Sequence, residues 1–177
     1  QNQMLQTEKQ TVLAENSGLK STKDSLNRTL NDVSAKNEDL KQKINVGSAL
    51  KAVKVSVTAL SSRGKERSGE VKNKKIDQLK VSYILPSNPL TATNNKDVYL
   101  RLLDPNGGVI NDMNKGGVLK YNNQEIGYSM KQSVLYTNND QAVDMYYKKD
   151  QALKSGTYSV ELYSEGFKIG TGSFLVK

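Results

Sequence analysis

The amino-acid sequence predicts an α + all-β protein, in which a long N-terminal helix forms a parallel two-stranded coiled coil and an antiparallel β-sandwich follows. Apolar residues recur at every seventh position through the first part of the chain, and after Gly47 the apolar period changes from seven to two. A period of seven is typical of coiled coils, and a period of two is typical of strands with one buried face. We therefore assign residues 1–47 to a dimerisation helix and residues 48–177 to a β-sandwich.

The heptads of the helix have an apolar residue at every d position and mostly polar residues at the a positions. Asparagine at a pairs well with its twin in a two-stranded coil, so Asn16 and Asn37 favour a parallel, in-register dimer. The alternative is an amphipathic helix folded back on its own domain, which usually has a wider apolar face than a and d alone. The predicted dimer seam consists of Leu5, Val12, Asn16, Leu19, Leu26, Leu30, Val33, Asn37, Leu40 and Ile44.

Short strands at regular spacing are predicted through the rest of the chain, with no helical pattern between them. Turn residues separate them at Asp104 to Gly108, at 138–140 and at 165–166, and Gly170 and Gly172 indicate a bulge or a close backbone approach. Such spacing favours an antiparallel sandwich. The predicted strands are 53–59, 79–85, 98–102, 117–121, 125–136, 141–148, 158–162 and 167–176.

The composition excludes several kinds of chemistry. The chain has no cysteine, histidine or tryptophan, which rules out disulfides, thiolate metal sites and the commonest general base. A carboxylate pair or a serine–lysine pair remains, but no motif marks either. We predict no enzyme activity, no cofactor and no metal site.

An Asp/Asn-rich stretch is a candidate calcium site. Its oxygen-bearing side chains are close in sequence, but their spacing departs from the EF-hand loop, and these residue types are also the usual turn formers. The residues concerned are Asp104, Asn106, Asn111, Asp112 and Asn114.

The positive charge is concentrated in one short region. Of the net +8, residues 48–76 contribute +6, from eight Lys/Arg and two Asp/Glu. Residues 61–77 are predicted to form a long loop or a protruding hairpin. This basic stretch has two interpretations, a solvated surface segment or an anion-binding site for nucleic acid, anionic lipid or an acidic protein. It lacks the interleaved aromatic residues of a dedicated nucleic-acid site. The candidate anion-binding residues are Arg63, Lys65, Arg67, Lys72, Lys74 and Lys75.

The adjacent tyrosines Tyr146 and Tyr147 lie in a predicted strand. Neighbouring strand residues face opposite ways. One of the two is therefore expected in the core, and the other exposed or in an interface.

The C-terminal part contains the pattern Leu-x-x-Gly-x-Tyr, formed by Leu153, Gly156 and Tyr158. It resembles the tyrosine corner of immunoglobulin-like and fibronectin-type sandwiches, in which the tyrosine hydroxyl bonds to nearby backbone. The resemblance implies an Ig-like sandwich, although the cysteine pair and core tryptophan of antibody domains are missing.

The layout of a coiled coil before an Ig-like sandwich resembles bacterial cell-envelope proteins whose coiled coil follows a membrane anchor. That resemblance implies a periplasmic location with an anchor upstream of Gln1, the cytoplasm being the alternative. The sequence itself has no stretch that could cross a bilayer.

Together these features predict a structural or interaction protein. In this reading, residues 1–47 make a homodimer that presents paired β-sandwiches to a protein partner in a larger envelope assembly. The alternative is a binding module for nucleic acid, anionic lipid or acidic protein surfaces through residues 63–75.

Overall fold

The computed structural model describes residues 1–111 and 115–177. The chain divides into two compact units, Gln1–Val46 and Gly47–Lys177. We refer to the second as the β unit.

The first unit is helical. Helix α1 comprises Asn2–Ser48 and ends one residue past the predicted end at Gly47. None of its 47 residues is buried. At ~1.5 Å per residue it is about 70 Å long. Each of its four threonines donates its hydroxyl to the carbonyl four residues earlier, as Thr22 does to Gly18 at 2.9 Å.

The β unit contains eleven strands and one 3₁₀ turn, Asn73–Lys75, among the described residues. The strands in chain order are β1 (Val53–Leu60), β2 (Glu66–Arg67), β3 (Glu70–Val71), β4 (Gln78–Leu85), β5 (Asn95–Leu103), β6 (Gly117–Tyr121), β7 (Gln124–Tyr128), β8 (Met130–Leu135), β9 (Gln141–Lys148), β10 (Gly156–Ser164) and β11 (Phe167–Val176).

Three sheets result from the pairing of these strands. A four-stranded sheet has the order β2-β1-β4-β9, a five-stranded sheet has the order β3-β11-β10-β5-β8, and β6 pairs with β7 in a separate hairpin. The long strands pair antiparallel with their neighbours. A helix followed by mostly antiparallel sheets agrees with the predicted α + all-β class.

One hydrophobic core joins the two larger sheets. Alternate residues of β4 and β9 from one sheet, and of β5 and β10 from the other, belong to the same buried cluster. The paired tyrosines of β9 follow the alternation, since Tyr147 is 2% exposed and Tyr146 is 50% exposed. The prediction that one of the two lies in the core is therefore confirmed.

The predicted hairpin turn and close approach in β10–β11 are also confirmed. Ser164 pairs with Phe167, and the intervening Glu165 and Gly166 both have positive φ, as a two-residue type I′ turn requires. A Cβ on Gly170 would lie 2.8 Å from the Ala52 carbonyl oxygen. The first strand approaches β11 so closely that this position needs glycine.

Two predicted features of the sheets were wrong. The single strand predicted at 125–136 is split at Ser129, which is buried; its backbone N–H donates to the Leu100 carbonyl and its hydroxyl accepts from the Leu102 N–H. This break lets the chain leave the β6–β7 hairpin and enter the five-stranded sheet. The short strand β3 pairs parallel, not antiparallel, with β11, because the chain crosses to that sheet after β2.

Candidate interaction surfaces

The first candidate surface is the apolar stripe of α1, formed by the heptad residues of the predicted seam. Every d residue is exposed, from 48% for Val12 to 68% for Leu19. The apolar a residues Leu30 and Ile44 are exposed too. All the apolar side chains of the stripe are therefore open to solvent in the single chain.

The polar residues of the seam are exposed on the same helix. Asn16 and Asn37 have no side-chain hydrogen bond among the described residues, and both are exposed. The outer side of the helix has an i,i+4 ion pair, Lys43 with Asp39 at 2.7 Å. Such an exposed pair contributes little to stability.

The second candidate surface lies at one end of the β unit and includes the predicted basic stretch. The start of the stretch forms a hairpin, the second of the two predicted alternatives, since β2 pairs antiparallel with β1. The rest contains β3 and the 3₁₀ turn. Of the six predicted cations, Arg67 is half-buried and the other five are exposed. None of those five forms an ion pair within the described ranges.

Asn73 connects this stretch to distant parts of the chain. Its side-chain oxygen accepts hydrogen bonds from the Lys149 ammonium at 2.7 Å and from the Leu153 N–H at 3.1 Å. Its backbone N–H donates to the Lys177 carbonyl at 3.2 Å. The end of β9, the loop before β10 and the C-terminus therefore meet at the 3₁₀ turn.

The contacts at the 3₁₀ turn bring two further lysines to the basic stretch, which the sequence had not indicated. Lys148 ends β9 opposite Gln78 and is exposed, and Lys154 is exposed one residue after Leu153. The Lys148-Lys149 pair at the end of a predicted strand was the available signal. Its spatial link to residues 72–75 could not be read from spacing.

The Asp/Asn-rich stretch has a structural role where the structure describes it. One carboxylate oxygen of Asp104 accepts hydrogen bonds from the backbone N–H groups of Asn106 and Gly108, at 2.9 and 2.8 Å. Asp112 and Asn114 lie outside the described residues. Within the described ranges no group of three or more acidic residues is placed to hold a metal ion.

The tyrosine of the predicted corner is buried, and its hydroxyl donates to the Lys154 carbonyl at 3.1 Å. Leu153 is also buried, and Gly156 has φ +140. Burial of the Tyr158 ring raises the pKa of its hydroxyl, although the bond to Lys154 opposes this.

A third surface is a groove of about 660 Å³ between the β6–β7 hairpin and the β10–β11 turn. Lys96, a residue only 5% exposed, lies in its wall, and its ammonium pairs with Glu165 at 2.6 Å. Edge-to-face ring pairs hold the hairpin on the five-stranded sheet, Tyr99 with Tyr128 and Tyr121 with Tyr163. Lys96 and Asp97 in this groove already have partners, Glu165 and Lys131.

Two carboxylates on the five-stranded sheet are also fully engaged. Hydrogen bonds from Ser133 and Lys131 lower the pKa of Asp97. Burial opposes ionisation of Glu161, but hydrogen bonds from Lys168, Arg101 and Tyr163 outweigh it and lower its pKa. Both shifts keep the carboxylates charged, which suits structural ion pairs and not proton transfer at neutral pH.

The described geometry thus defines a protein with one helix and a mostly antiparallel β unit, whose surfaces present an apolar stripe and a basic end. Residues 53–177 match the family described as Domain of unknown function (DUF8428), and the chain belongs to that family. A search of curated proteins finds no match.

Among solved structures, the chain is similar to the Pseudomonas fluorescens alkylpurine DNA glycosylase AlkC bound to DNA containing an abasic site analog. The sequences are 15% identical, the TM-score is 0.34, and the match covers 75% of this chain and 31% of that chain. A likeness of this size carries no argument about function. No helix in the described residues is long and apolar enough to span a membrane.

Proposed function

We propose that this protein is a non-enzymatic interaction protein whose N-terminal helices pair as a parallel two-stranded coiled coil and present two β units to a protein partner. One observation carries the proposal: apolar residues occupy every seventh position of a 47-residue helix that has no buried residue. An apolar stripe of this length is unfavourably exposed to water in a single chain, and a dimer would bury it as an interface.

A second copy of the chain is the occupant that the stripe suits best. The seven-residue period keeps a narrow seam in register along the helices only when they supercoil around each other. Asn16 and Asn37 favour two strands in register, because each amide can hydrogen-bond its twin. Pairing would bring two β units together and raise weak contacts to useful avidity.

For the β unit we propose an Ig-like sandwich, supported by the bond from the Tyr158 hydroxyl to the Lys154 carbonyl. The bacterial cell envelope is the proposed setting, on the resemblance of the layout.

Oligomeric state tests the proposal directly. Sedimentation equilibrium of the full chain should give twice the chain mass of 19.6 kDa. Leu19→Lys plus Leu26→Lys should give a single-chain mass, because two charges then oppose each other in the seam. The matched control, Ser21→Lys plus Ser25→Lys, changes the charge equally on the outer side and should remain dimeric. A wild-type chain that is monomeric at every concentration would overturn the proposal.

Cross-linking tests the orientation of the pair. The chain has no cysteine, so Asn16→Cys introduces a single thiol. In a parallel, in-register dimer the two thiols face each other and oxidation joins the chains. An antiparallel pair would place them far apart and leave the chains separate on a non-reducing gel.

A further inference from the structure

The basic end of the β unit is larger than the sequence suggested. We define the basic end by six exposed lysines from four stretches of chain: Lys65, Lys72, Lys74, Lys75, Lys148 and Lys154. The strand registers place them together, since Leu60 pairs with Gln78, and Gln78 pairs with Lys148. The bonds of Asn73 to Lys149 and Leu153 bring in the remaining stretch.

The cations of the basic end are not used by the fold. None of the six lysines forms an ion pair with another described residue, whereas nearby Lys177 and Lys80 pair with Glu70 and Glu66. Like charges held close together destabilise a folded chain through repulsion. A polyanionic partner would relieve that repulsion.

We propose that the basic end is a docking surface for an acidic polypeptide segment. This inference rests on the proposed function and names the chemistry of its protein partner. Tyr146, two residues before Lys148, is exposed, but residues 61–77 contain no aromatic ring, whereas single-strand nucleic-acid sites offer several rings on which successive bases stack.

The carboxylates at the same end also favour a polypeptide over nucleic acid. Glu66 pairs in register with Leu60, and the Asp77 backbone bonds to Leu60 and Lys149, so both acidic residues belong to this end. Duplex nucleic acid carries one charge per ~1.7 Å of its axis and would bring phosphates against them. An extended polypeptide carries same-face carboxylates about 7 Å apart and can avoid them.

The basic end is also free of the segment through which the chain joins the β unit. Gly47 and Ser48 accept hydrogen bonds from Asn88 and Thr91, just beyond the end of β4. The basic end lies at the start of β4, about 26 Å away along that eight-residue strand. A partner there would not cover residues 47–50.

Fluorescence anisotropy with a labelled poly-glutamate peptide tests the inference on the full chain at low salt. The peptide should bind, and added salt should release it. Lys72→Glu, Lys74→Glu and Lys75→Glu together should weaken binding by about tenfold or more, because three attractions become repulsions.

The matched control reverses three exposed lysines away from the basic end, Lys51, Lys54 and Lys120, and changes the net charge equally. It should alter affinity by less than about threefold, through long-range charge alone. Equal losses in both triple variants would overturn the inference, as would an absence of binding.

Two further probes decide between partner classes. Duplex DNA or vesicles rich in phosphatidylserine that bind the basic end more tightly than poly-glutamate would overturn the assignment to a polypeptide. Sedimentation of the same samples separates the two proposals. Dimers that do not bind poly-glutamate contradict only the docking surface, and monomers that bind it contradict only the coiled coil.

Discussion

At the scale of single residues, the outer face of the five-stranded sheet is held by side chains that share one carboxylate. Glu161 accepts hydrogen bonds from Arg101 at 2.8 Å, Lys168 at 2.6 Å and Tyr163 at 2.9 Å. These residues lie on β5, β10 and β11, so the group ties three neighbouring strands together. Because it is largely shielded from water, the cluster should contribute more than an exposed ion pair.

The hydrogen bonds to Glu161 should stabilise the folded protein at neutral pH, and acid should remove this stabilisation. The pKa of the Glu161 carboxyl is lower in the folded protein than its ordinary value of 4.5, so the charged form favours folding. This contribution is complete above the unfolded pKa and is lost as pH falls through the folded pKa. Glu161→Gln should cost about 2 kcal/mol at neutral pH, and the difference from wild type should shrink below about pH 4.5.

Urea unfolding of both proteins across this pH range measures the difference. Glu125→Gln is the control, since Glu125 is exposed and without an ion-pair partner in the described part of the chain. It should change stability by less than about 0.5 kcal/mol. A Glu161→Gln difference that persists undiminished in acid would contradict the role of the charge.

At the scale of elements, the contact between β1 and β11 depends on the absence of a side chain. Ala52 N–H donates to the Ile169 carbonyl at 2.8 Å, and the backbone of β11 lies directly beneath. A side chain at Gly170 of β11 would meet the carbonyl oxygen of Ala52. The two larger sheets can therefore adjoin here only because β11 has glycine at this position.

Gly170→Ala should destabilise the β unit by about 1–3 kcal/mol, since the added Cβ meets backbone that cannot rotate away. Gly127→Ala in β7 is the same chemical change where the nearest atom is 3.8 Å away, and it should be close to neutral. Thermal unfolding of both variants measures the contrast. Equal melting temperatures would show that β1 can move away from β11 at little cost.

At the scale of the whole molecule, the two compact units draw their stability from different sources. The β unit has its own core, whereas the first unit has no buried residue. In proteins most of the stability of a helix comes from packing of its apolar face. The first unit should therefore depend on association with another copy, and the β unit should not.

Melting at several protein concentrations should separate the units. The helical signal at 222 nm should melt at a temperature that rises with protein concentration, as expected when folding and association are coupled. The near-ultraviolet tyrosine signal should come only from the β unit, because all nine tyrosines follow residue 47, and its midpoint should be independent of concentration. A helical transition that ignores concentration would mean that α1 does not self-associate.

Periods of seven and two, which neighbouring residues display, were enough to predict the helix, its heptad pattern and most strands. The hairpin turn at Glu165 and Gly166 could also be predicted from the sequence, because its backbone conformation favours particular residue types.

The features that join distant residues follow from the assembled fold. The break at Ser129 depends on its bonds to Leu100 and Leu102, and the parallel pairing of β3 depends on where β11 ends. The joining of Lys148 and Lys154 to residues 72–75 depends on Asn73 reaching across 76 positions to Lys149. Such contacts arise from how the sheets pack around one core, and no local period in the sequence records that packing.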